Sequence, residues 1–306
     1  MRKLLVALAL PFQFLFSACI FKDDASVSVR ERLGTGAIVL RFAESSSDIH
    51  PSAAASEYFA RLVEKKSGGK IRIKVYFDGK LGSSKSVLEQ LEFGGVAFGR
   101  VGLAELAEAV PAMSNFSSKA AKRANECREI ILDNMDFISD RCLAEKLYPL
   151  AVFYPDRRCL YSESRKYFLT SKRQLEGLKV GTASPAIFGN LLGEYGAVPV
   201  ETGGSDSYQS MQSGFVNLMD ADFADFLLGS DYLFSNYLMF FDYVSNPSFL
   251  LVSNEVWNGL SVEQRKIIRD CAWKTASYQR NMLERFYVAN LDTVCRQKNV
   301  VHILSE

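Results

Sequence analysis

The stretch AIVLRFAESSSDIHPSAAASEYFARLVEKKSGGKIRIKVYFDGKLG, residues 37–82, decides the fold class. Residues 38–43 and 71–77 alternate in side-chain character with the period of two that is typical of strands. Between them lies a segment with apolar side chains at helical spacing, and it runs into Ser67-Gly68-Gly69, where glycine supplies the left-handed exit that ends a helix. A strand, a helix and a second strand in this order predict a parallel sheet covered by helices.

The same order of elements returns in the second half of the chain. Residues 178–181 and 196–200 have strand character, and the helix predicted between them begins at Ser184-Pro185. Further along, Ser261-Val-Glu-Gln264 is a capping-box pattern that opens a long helix reaching about Gln297. The sequence therefore predicts an α/β fold with two lobes and a long C-terminal helix.

The composition argues against several classes of function. Of 306 residues, 36 are Lys or Arg and 35 are Asp or Glu, and both signs are interspersed, so we expect no basic surface for a nucleic acid. The hydrophobic fraction of 48% supplies enough apolar surface for folded cores, and the length suggests about two domains. With only His50 and His302, a zinc site or a histidine-based catalytic triad has little basis, and no metal or cofactor is expected.

The N-terminus has the pattern of an export signal. Met1-Arg2-Lys3 is followed by an apolar run, residues 4–16, which is too short to span a membrane as a helix but is typical of a signal peptide. The next residues, Ser17-Ala18-Cys19, resemble a bacterial lipobox. We expect residues 1–18 to be removed, the acylated Cys19 to anchor the exported protein to a membrane, and residues 19–36 to form a tether. The alternative is an ordinary secretory signal with an incidental cysteine.

The remaining cysteines show no CxxC spacing, so a metal site or a thioredoxin-like motif has no support. Cys127 could pair with Cys142, and Cys271 could pair with Cys295. The preferred interpretation is that these residues and Cys159 are buried free thiols.

Short motifs recur in a fixed order along most of the mature chain. They are His50-Pro51, Val63-Glu-Lys-Lys-Ser-Gly-Gly-Lys-Ile71, Val75-Tyr-Phe77, Gly79-Lys-Leu-Gly82, Leu88-Glu-Gln-Leu91 with Gly95, Leu175-Glu-Gly-Leu-Lys-Val180, Ser184-Pro185, Tyr208-Gln-Ser-Met-Gln-Ser-Gly-Phe-Val216, and Val252-Ser253 through Trp257 and Leu260. Together they resemble the extracytoplasmic solute receptors of tripartite ATP-independent periplasmic (TRAP) transporters, the DctP family. The resemblance covers about residues 38–285, and colinearity makes it specific.

The resemblance implies a periplasmic-binding-protein fold, in which two α/β lobes joined by a hinge close over a ligand held in the cleft. It divides the chain into a first lobe, 37–155, completed by 247–285, a second lobe, 156–246, and a helix end and tail, 286–306. The implied protein is not an enzyme. It is a periplasmic receptor that captures a small molecule and delivers it to membrane permease subunits.

The family's ligand-binding positions are altered in this chain. In most members the strand after Gly-Leu-Lys ends with an arginine that grips the ligand carboxylate, and Gly181 stands at that position. Losing a charge-assisted hydrogen bond, about 1.5 to 3 kcal/mol, lowers carboxylate affinity by roughly one to two decades. Ala97 and Ala221 also replace residues that are usually Asp and Asn in the family.

Two ligand classes remain open. The preferred one is a small apolar or amphipathic molecule in an aromatic cleft, and its candidate binding residues are Phe98, Gly181, Ser184, Phe188, Asp222, Phe223 and Phe226. The alternative is an organic acid held by Arg158, which matches a second, less constant arginine of the family, or by Arg100 or Arg157. A remote alternative is enzyme chemistry at the aspartates from Asp220 to Asp225, which a solvated helix start explains more simply.

Overall fold

Two six-stranded sheets organise the part of the chain that the structure describes. The structure is a computed structural model, and it describes residues 31–32, 36–114, 116, 127–183, 188–202, 206–229, 231–241 and 245–303. The strands in chain order are β1 (Glu31–Arg32), β2 (Ile38–Ala43), β3 (Ile71–Tyr76), β4 (Phe98–Gly102), β5 (Leu147–Phe153), β6 (Arg158–Ser162), β7 (Lys179–Thr182), β8 (Val198–Glu201), β9 (Leu218–Asp222), β10 (Tyr237–Phe241), β11 (Ser248–Ser253) and β12 (Asn299–Ile303).

Helices and short turns cover both sheets. The α-helices in chain order are α1 (Pro51–Lys66), α2 (Ser84–Glu92), α3 (Leu103–Ala109), α4 (Cys127–Asp133), α5 (Met135–Ala144), α6 (Asn190–Gly193), α7 (Ser207–Gln212), α8 (Phe223–Leu228), α9 (Asp231–Phe234), α10 (Asn254–Asn258) and α11 (Val262–Gln297). Among the described residues, no helix is both long enough and apolar enough to cross a bilayer.

The first helix shows how the local sequence sets the elements. His50 caps α1, because its Nδ1 accepts the backbone N–H of Ser52 at 3.0 Å, and Pro51 occupies the first helical position. The helix ends before Gly68 and Gly69, which have φ of +61° and +79°. These left-handed values favour glycine, as the sequence predicts. The buried side of α1 packs on the first sheet.

Both sheets are mixed, whereas the sequence predicts parallel pairing. The first sheet runs β1-β2-β4-β11-β5, with β3 also paired to β2, and the second runs β12-β10-β6-β9-β7-β8. In the first sheet, β2 pairs in parallel with β3 and β4, but β11 is antiparallel to both β4 and β5. The strand–helix–strand order governs only neighbouring strands, so it cannot reveal a strand that returns from a later part of the chain.

We call each sheet, with the helices packed on it, a lobe. The chain passes from the first lobe to the second after β5, and it returns between β10 and β11. The division predicted at 155/156 and 246/247 therefore separates strands of different sheets, although the exact lobe boundaries remain a prediction.

The long helix α11 contacts both lobes. Its first half packs in the core of the first lobe through Ile268 and Ala272, and its second half reaches the core of the second lobe through Val294. The buried Gln279 lies between these halves and binds the segment that leads from β5 into the second lobe. Its Oε1 accepts the N–H of Tyr154 at 2.9 Å, and its Nε2 donates to the Tyr154 carbonyl at 3.0 Å. The helix α11 therefore packs in both cores and holds the segment that joins the two lobes.

Several predicted elements shift. The strand predicted at 215–219 forms instead at 218–222, because Phe215 is exposed and follows the left-handed Gly214. The predicted tail adds β12 beside β10, and part of the predicted tether, β1, pairs with β2.

The cysteines and the predicted signal can be placed only in part. Cys142, Cys159 and Cys271 are buried free thiols and Cys295 is an exposed one. The predicted signal, Cys19 and the Cys127 side chain lie outside the described residues.

Candidate functional site

A cavity of about 640 Å³ opens between the second sheet and the edge of the first lobe. Most of its wall comes from β6, β9 and the helices α7 to α9, and Glu105 of α3 and Asn246 close the side toward the first lobe. Its volume is within the usual range of small-molecule sites. The charged side chains in the wall are Glu105, Arg158, Asp220, Asp222, Asp225 and Asp231.

Arg158 is the arginine in this wall. The antiparallel register of β6 and β9 places it opposite Asp222, two residues from Asp220. Its Nε lies 3.2 Å from Asp220 Oδ1, its Nη2 binds Asp220 Oδ2, and its Nη1 lies 3.1 Å from Asp222 Oδ1. Its Cζ lies 4.1 Å from the ring centroid of Phe188, a cation–π arrangement. These contacts hold the planar guanidinium in one orientation at the cavity wall.

Asp220 anchors this arrangement. Its side chain is fully buried, and its Oδ2 accepts a further hydrogen bond from Thr182 Oγ1 at 3.1 Å. The Asp222 side chain keeps 27% of its surface exposed. Of the two carboxylates on Arg158, Asp222 is therefore the one that is exposed to solvent.

Gly181 stands where a side chain has no room. It lies opposite Met219 in the parallel pair β7 and β9. A Cβ at this position would lie 2.3 Å from Met219 Sδ and 3.1 Å from Thr202 Oγ1, well inside van der Waals contact. Met219 and Thr202 both line the cavity, so the Met219 thioether fills the space that the family's arginine would enter.

The other two candidate arginines have other partners. Arg100, on β4, binds the fully buried Glu44 through Nε at 3.0 and 2.9 Å and also binds Ser46 Oγ at 2.7 Å. Burial alone would raise the pKa of Glu44, but the Arg100 guanidinium and its hydrogen bonds hold that pKa below its ordinary value. Arg157 is exposed, and its guanidinium lies over the ring of Tyr287 at 4.2 Å. Neither residue lines the cavity.

One contact between charged or ionisable groups bridges the two lobes beside the cavity. His50 Nε2, in the first lobe, lies 3.6 Å from Asp225 Oδ1 at the start of α8. The pKa of His50 is lowered to about 4 because the ring is desolvated by burial and lies near Arg100. The ring is therefore neutral at pH 7, with its proton on Nε2, since Nδ1 accepts from Ser52. The aspartate is 61% exposed, so the pair is screened by water.

Several acidic side chains lie close together near the segment that leads from β5 into the second lobe. Burial, with the nearby Asp222 charge, raises the pKa of Asp156 to about 7. Asp156 accepts the backbone N–H groups of Arg157 and Ala224 at 2.7 Å each, and thereby fixes the start of α8. Burial also raises the pKa of Asp222, and the neighbouring Asp225 and Asp220 act in the same direction against Arg158. In the part of the chain that the structure describes, no three acidic, His or Cys side chains are arranged to hold a metal ion.

The predicted aromatic lining is mostly absent from the cavity. Phe98 is fully buried against Phe42 and Phe59, Phe223 packs on Phe240 and Tyr287, and Phe226 packs on Tyr161 and Tyr232. All three belong to the hydrophobic cores, Phe98 to that of the first lobe and the other two to that of the second.

Three of the predicted contact residues line the cavity, Arg158, Phe188 and Asp222. Gly181 is not among the lining residues, and Ser184 lies outside the described residues. The cavity is thus more polar than the sequence predicts. Glu105, Asp231 and Met219 also line the cavity, and the sequence analysis does not predict them. Only Glu105 has a sequence feature that could have indicated such a role, because it is the one charge among apolar neighbours in Leu103-Ala-Glu-Leu-Ala107.

Known proteins resemble this chain over most of its length. The profile of the family described as "Bacterial extracellular solute-binding protein, family 7", DctP, matches residues 42–306. A solute-binding protein of Chromohalobacter salexigens is 26% identical over 239 residues, which cover 77% of this chain and 70% of that protein.

Solved structures share the fold. A TRAP periplasmic solute-binding protein of Chromohalobacter salexigens with bound D-glucuronate is 23% identical with a TM-score of 0.78, over 86% of this chain and 88% of the other. A sugar acid binding protein of Advenella mimigardefordensis in complex with galactonate is 20% identical with a TM-score of 0.75, over 87% and 86%. These matches confirm the predicted α/β fold of two lobes with a long C-terminal helix.

Proposed function

The chain belongs to the bacterial extracellular solute-binding proteins of family 7, and from this membership we propose that its cleft captures a small hydroxylated organic acid at Arg158. TRAP receptors of this family are periplasmic, bind small-molecule ligands, and work with membrane permease subunits; they are not enzymes. The single observation that carries the ligand proposal is the Arg158 guanidinium, which is fixed at the cavity wall between Phe188 and the two aspartates.

The proposed binding step is an exchange of carboxylates. Asp220 is buried and holds Arg158 through two nitrogens, so it stays in place. Asp222 is partly exposed, and its pKa is raised by burial and by neighbouring acids, so it is the weaker partner. A ligand carboxylate can therefore replace Asp222 at Nη1, which leaves Asp222 to accept a ligand hydroxyl.

The remaining wall suits hydroxyl groups. Asp225 and Asp231 supply acceptor oxygens, and the rings of Tyr208 and Phe234 supply apolar surface for a carbon chain or ring. The bound glucuronate and galactonate of the two structural relatives belong to this chemical class, which supports the proposal. The apolar ligand that the sequence favours has less support, because only Phe188 of the four candidate phenylalanines lines the cavity.

Capture would be coupled to delivery by closure of the lobes. A ligand that contacts both Arg158 and the first lobe makes some of its contacts only in the closed state, and so shifts the population toward it. We also propose that acylated Cys19 anchors the receptor, and that the residues between it and β1 form the tether. A single acyl chain anchors a protein only marginally, so stable attachment would need more than one chain.

The test is calorimetric titration of glucuronate, galactonate and gluconate into the wild type and Arg158→Ala. We expect the variant to lose roughly one to two decades of affinity, since a charge-assisted bond contributes about 1.5 to 3 kcal/mol. Arg157→Ala is the matched control, because it removes the neighbouring, exposed arginine.

Removing Arg158 leaves Asp220 buried without its counter-ion, and this can destabilise the protein by about 3 to 5 kcal/mol. A second variant, Arg158→Gln with Asp220→Asn, keeps a hydrogen-bonded pair without buried charge. Equal affinity of a folded Arg158 variant and the wild type would refute the proposed role.

A further inference from the structure

The described part of the cavity wall has more negative charge than the Arg158 guanidinium can balance. Its charged groups there are five carboxylates and Arg158, which already binds Asp220 and Asp222. A ligand that brings only another carboxylate adds to this excess. A ligand with a positive group as well would reduce it, since opposite charges at short range favour one another.

Glu105 is the member of this group with a carboxylate oxygen that lacks a donor. It extends from α3 of the first lobe into the wall and accepts a hydrogen bond from the side chain of Asn246, but its Oε2 is completely buried and has no hydrogen-bond partner among the described residues. A buried carboxylate oxygen without a donor is unfavourable by an amount that most folded proteins avoid. Such an oxygen in a cavity wall is suited to a donor that arrives with the ligand.

The surroundings of Glu105 favour a positive donor. Its carboxylate is close enough to Asp222 for their charges to repel, while Arg158 acts in the opposite direction from across the cavity. Burial first, and then Asp222, raises the pKa of Glu105, against the side chain of Asn246 and Arg158, which lower it. A metal ion is a poorer candidate than an organic cation, because the described acidic groups do not converge as metal ligands.

We propose that the acid held at Arg158 also carries a protonated amine, and that Glu105 receives this amine. The inference rests on the acid-binding function proposed above and narrows its ligand to amino acids or amino-sugar acids. Arg158 belongs to the second lobe and Glu105 to the first, so a zwitterion bound by both residues contacts both lobes. Contacts to both lobes from one small molecule would favour the closed state.

The experiment compares matched ligands that differ by one hydroxyl replaced by an amine. Galactonate with galactosaminate, and gluconate with glucosaminate, are titrated into the wild type by calorimetry at pH 7. We expect at least one amino acid of these pairs to bind about tenfold or more tightly than its hydroxy partner, as one charge-assisted bond predicts. Glu105→Gln should bring the ratio within a pair close to one, and Glu108→Gln, on the exposed side of the same helix, should leave it unchanged.

Proton linkage gives a second readout. An amine that pairs with Glu105 favours its ionised form, so binding should release protons and tighten as the pH rises through the raised pKa of Glu105. A simple acid that displaces Asp222 from Arg158 should instead take up protons. Titrations in two buffers of different ionisation enthalpy distinguish these signs.

The outcomes separate the two proposals. If the hydroxy acids bind through Arg158 and the amine gives no gain, the amine inference is overturned and the acid-binding function stands. If the gain survives in Glu105→Gln, the assignment to Glu105 is overturned. If no member of either pair binds, both proposals are overturned.

Discussion

At the scale of single residues, Gly181 and Met219 pack so closely that each limits the size of the other side chain. A side chain at 181 would meet Met219 Sδ at 2.3 Å, so Gly181→Arg should lower the free energy of unfolding by about 1 to 3 kcal/mol through overpacking. Adding Met219→Ala should recover part of this loss and raise affinity for carboxylates. Urea denaturation measures the stability, and Gly193→Arg is the control because nothing lies within 4 Å of that glycine. A fully stable single variant would show that position 181 is open.

The buried pair of Glu44 and Arg100 gives a second prediction for single residues. Glu44→Gln should destabilise the protein by about 3 to 5 kcal/mol, because the guanidinium loses a buried counter-ion. Since the folded pKa of Glu44 is lowered, its contribution is present at neutral pH and is lost as the pH falls through that pKa. Urea denaturation at pH 7 checks this, and Glu57→Gln, at an exposed helical pair with Arg61, should change stability by less than about 0.5 kcal/mol. Similar values for both variants would contradict the account.

Sequence reasoning reached some of these residues and not others. Arg158 is predictable because it matches a family position, and the structure adds its partners. Met219 is not predictable, because its role depends on a register between β7 and β9 that the sequence does not reveal. Glu105 becomes a cavity residue only when the two lobes face each other.

At the scale of elements, the N-cap of α1 links helix stability to pH. The folded pKa of His50 is about 4, against 6.5 for the free side chain, so the unfolded chain binds this proton first as the pH falls. Stability is therefore lost between pH 6.5 and 4. Asn is also a good N-cap and does not titrate. As the pH falls from 7 to 5, the free energy of unfolding of His50→Asn should rise by about 2 kcal/mol relative to that of the wild type.

Paired urea denaturation curves at the two pH values measure this relative gain, and other titrating groups, such as Asp156, cancel in the difference. An identical difference at both values would mean that the ring is not held neutral.

The helix itself was predictable from its cap, its proline and its closing glycines. The start of β9 was not, because an exposed phenylalanine at 215 imitates the first residue of a strand.

At the scale of the whole molecule, the two lobes were predictable from the repeated order of elements and from the family motifs. The mixed pairing of the sheets was not, because β11 and β12 return from distant parts of the chain to join sheets begun earlier. The same returns, together with α11, place the two cavity walls opposite each other. The cleft is polar because this arrangement buries Phe98, Phe223 and Phe226 in the cores.

The most direct test of the central claim is a crystal structure of the protein with the acid that binds most tightly in titration. The account predicts the ligand carboxylate within hydrogen-bond distance of Arg158 Nη1, Asp222 displaced from that nitrogen, and the lobes closed over the ligand. A carboxylate bound away from Arg158, with the contact between Arg158 and Asp222 intact, would contradict it.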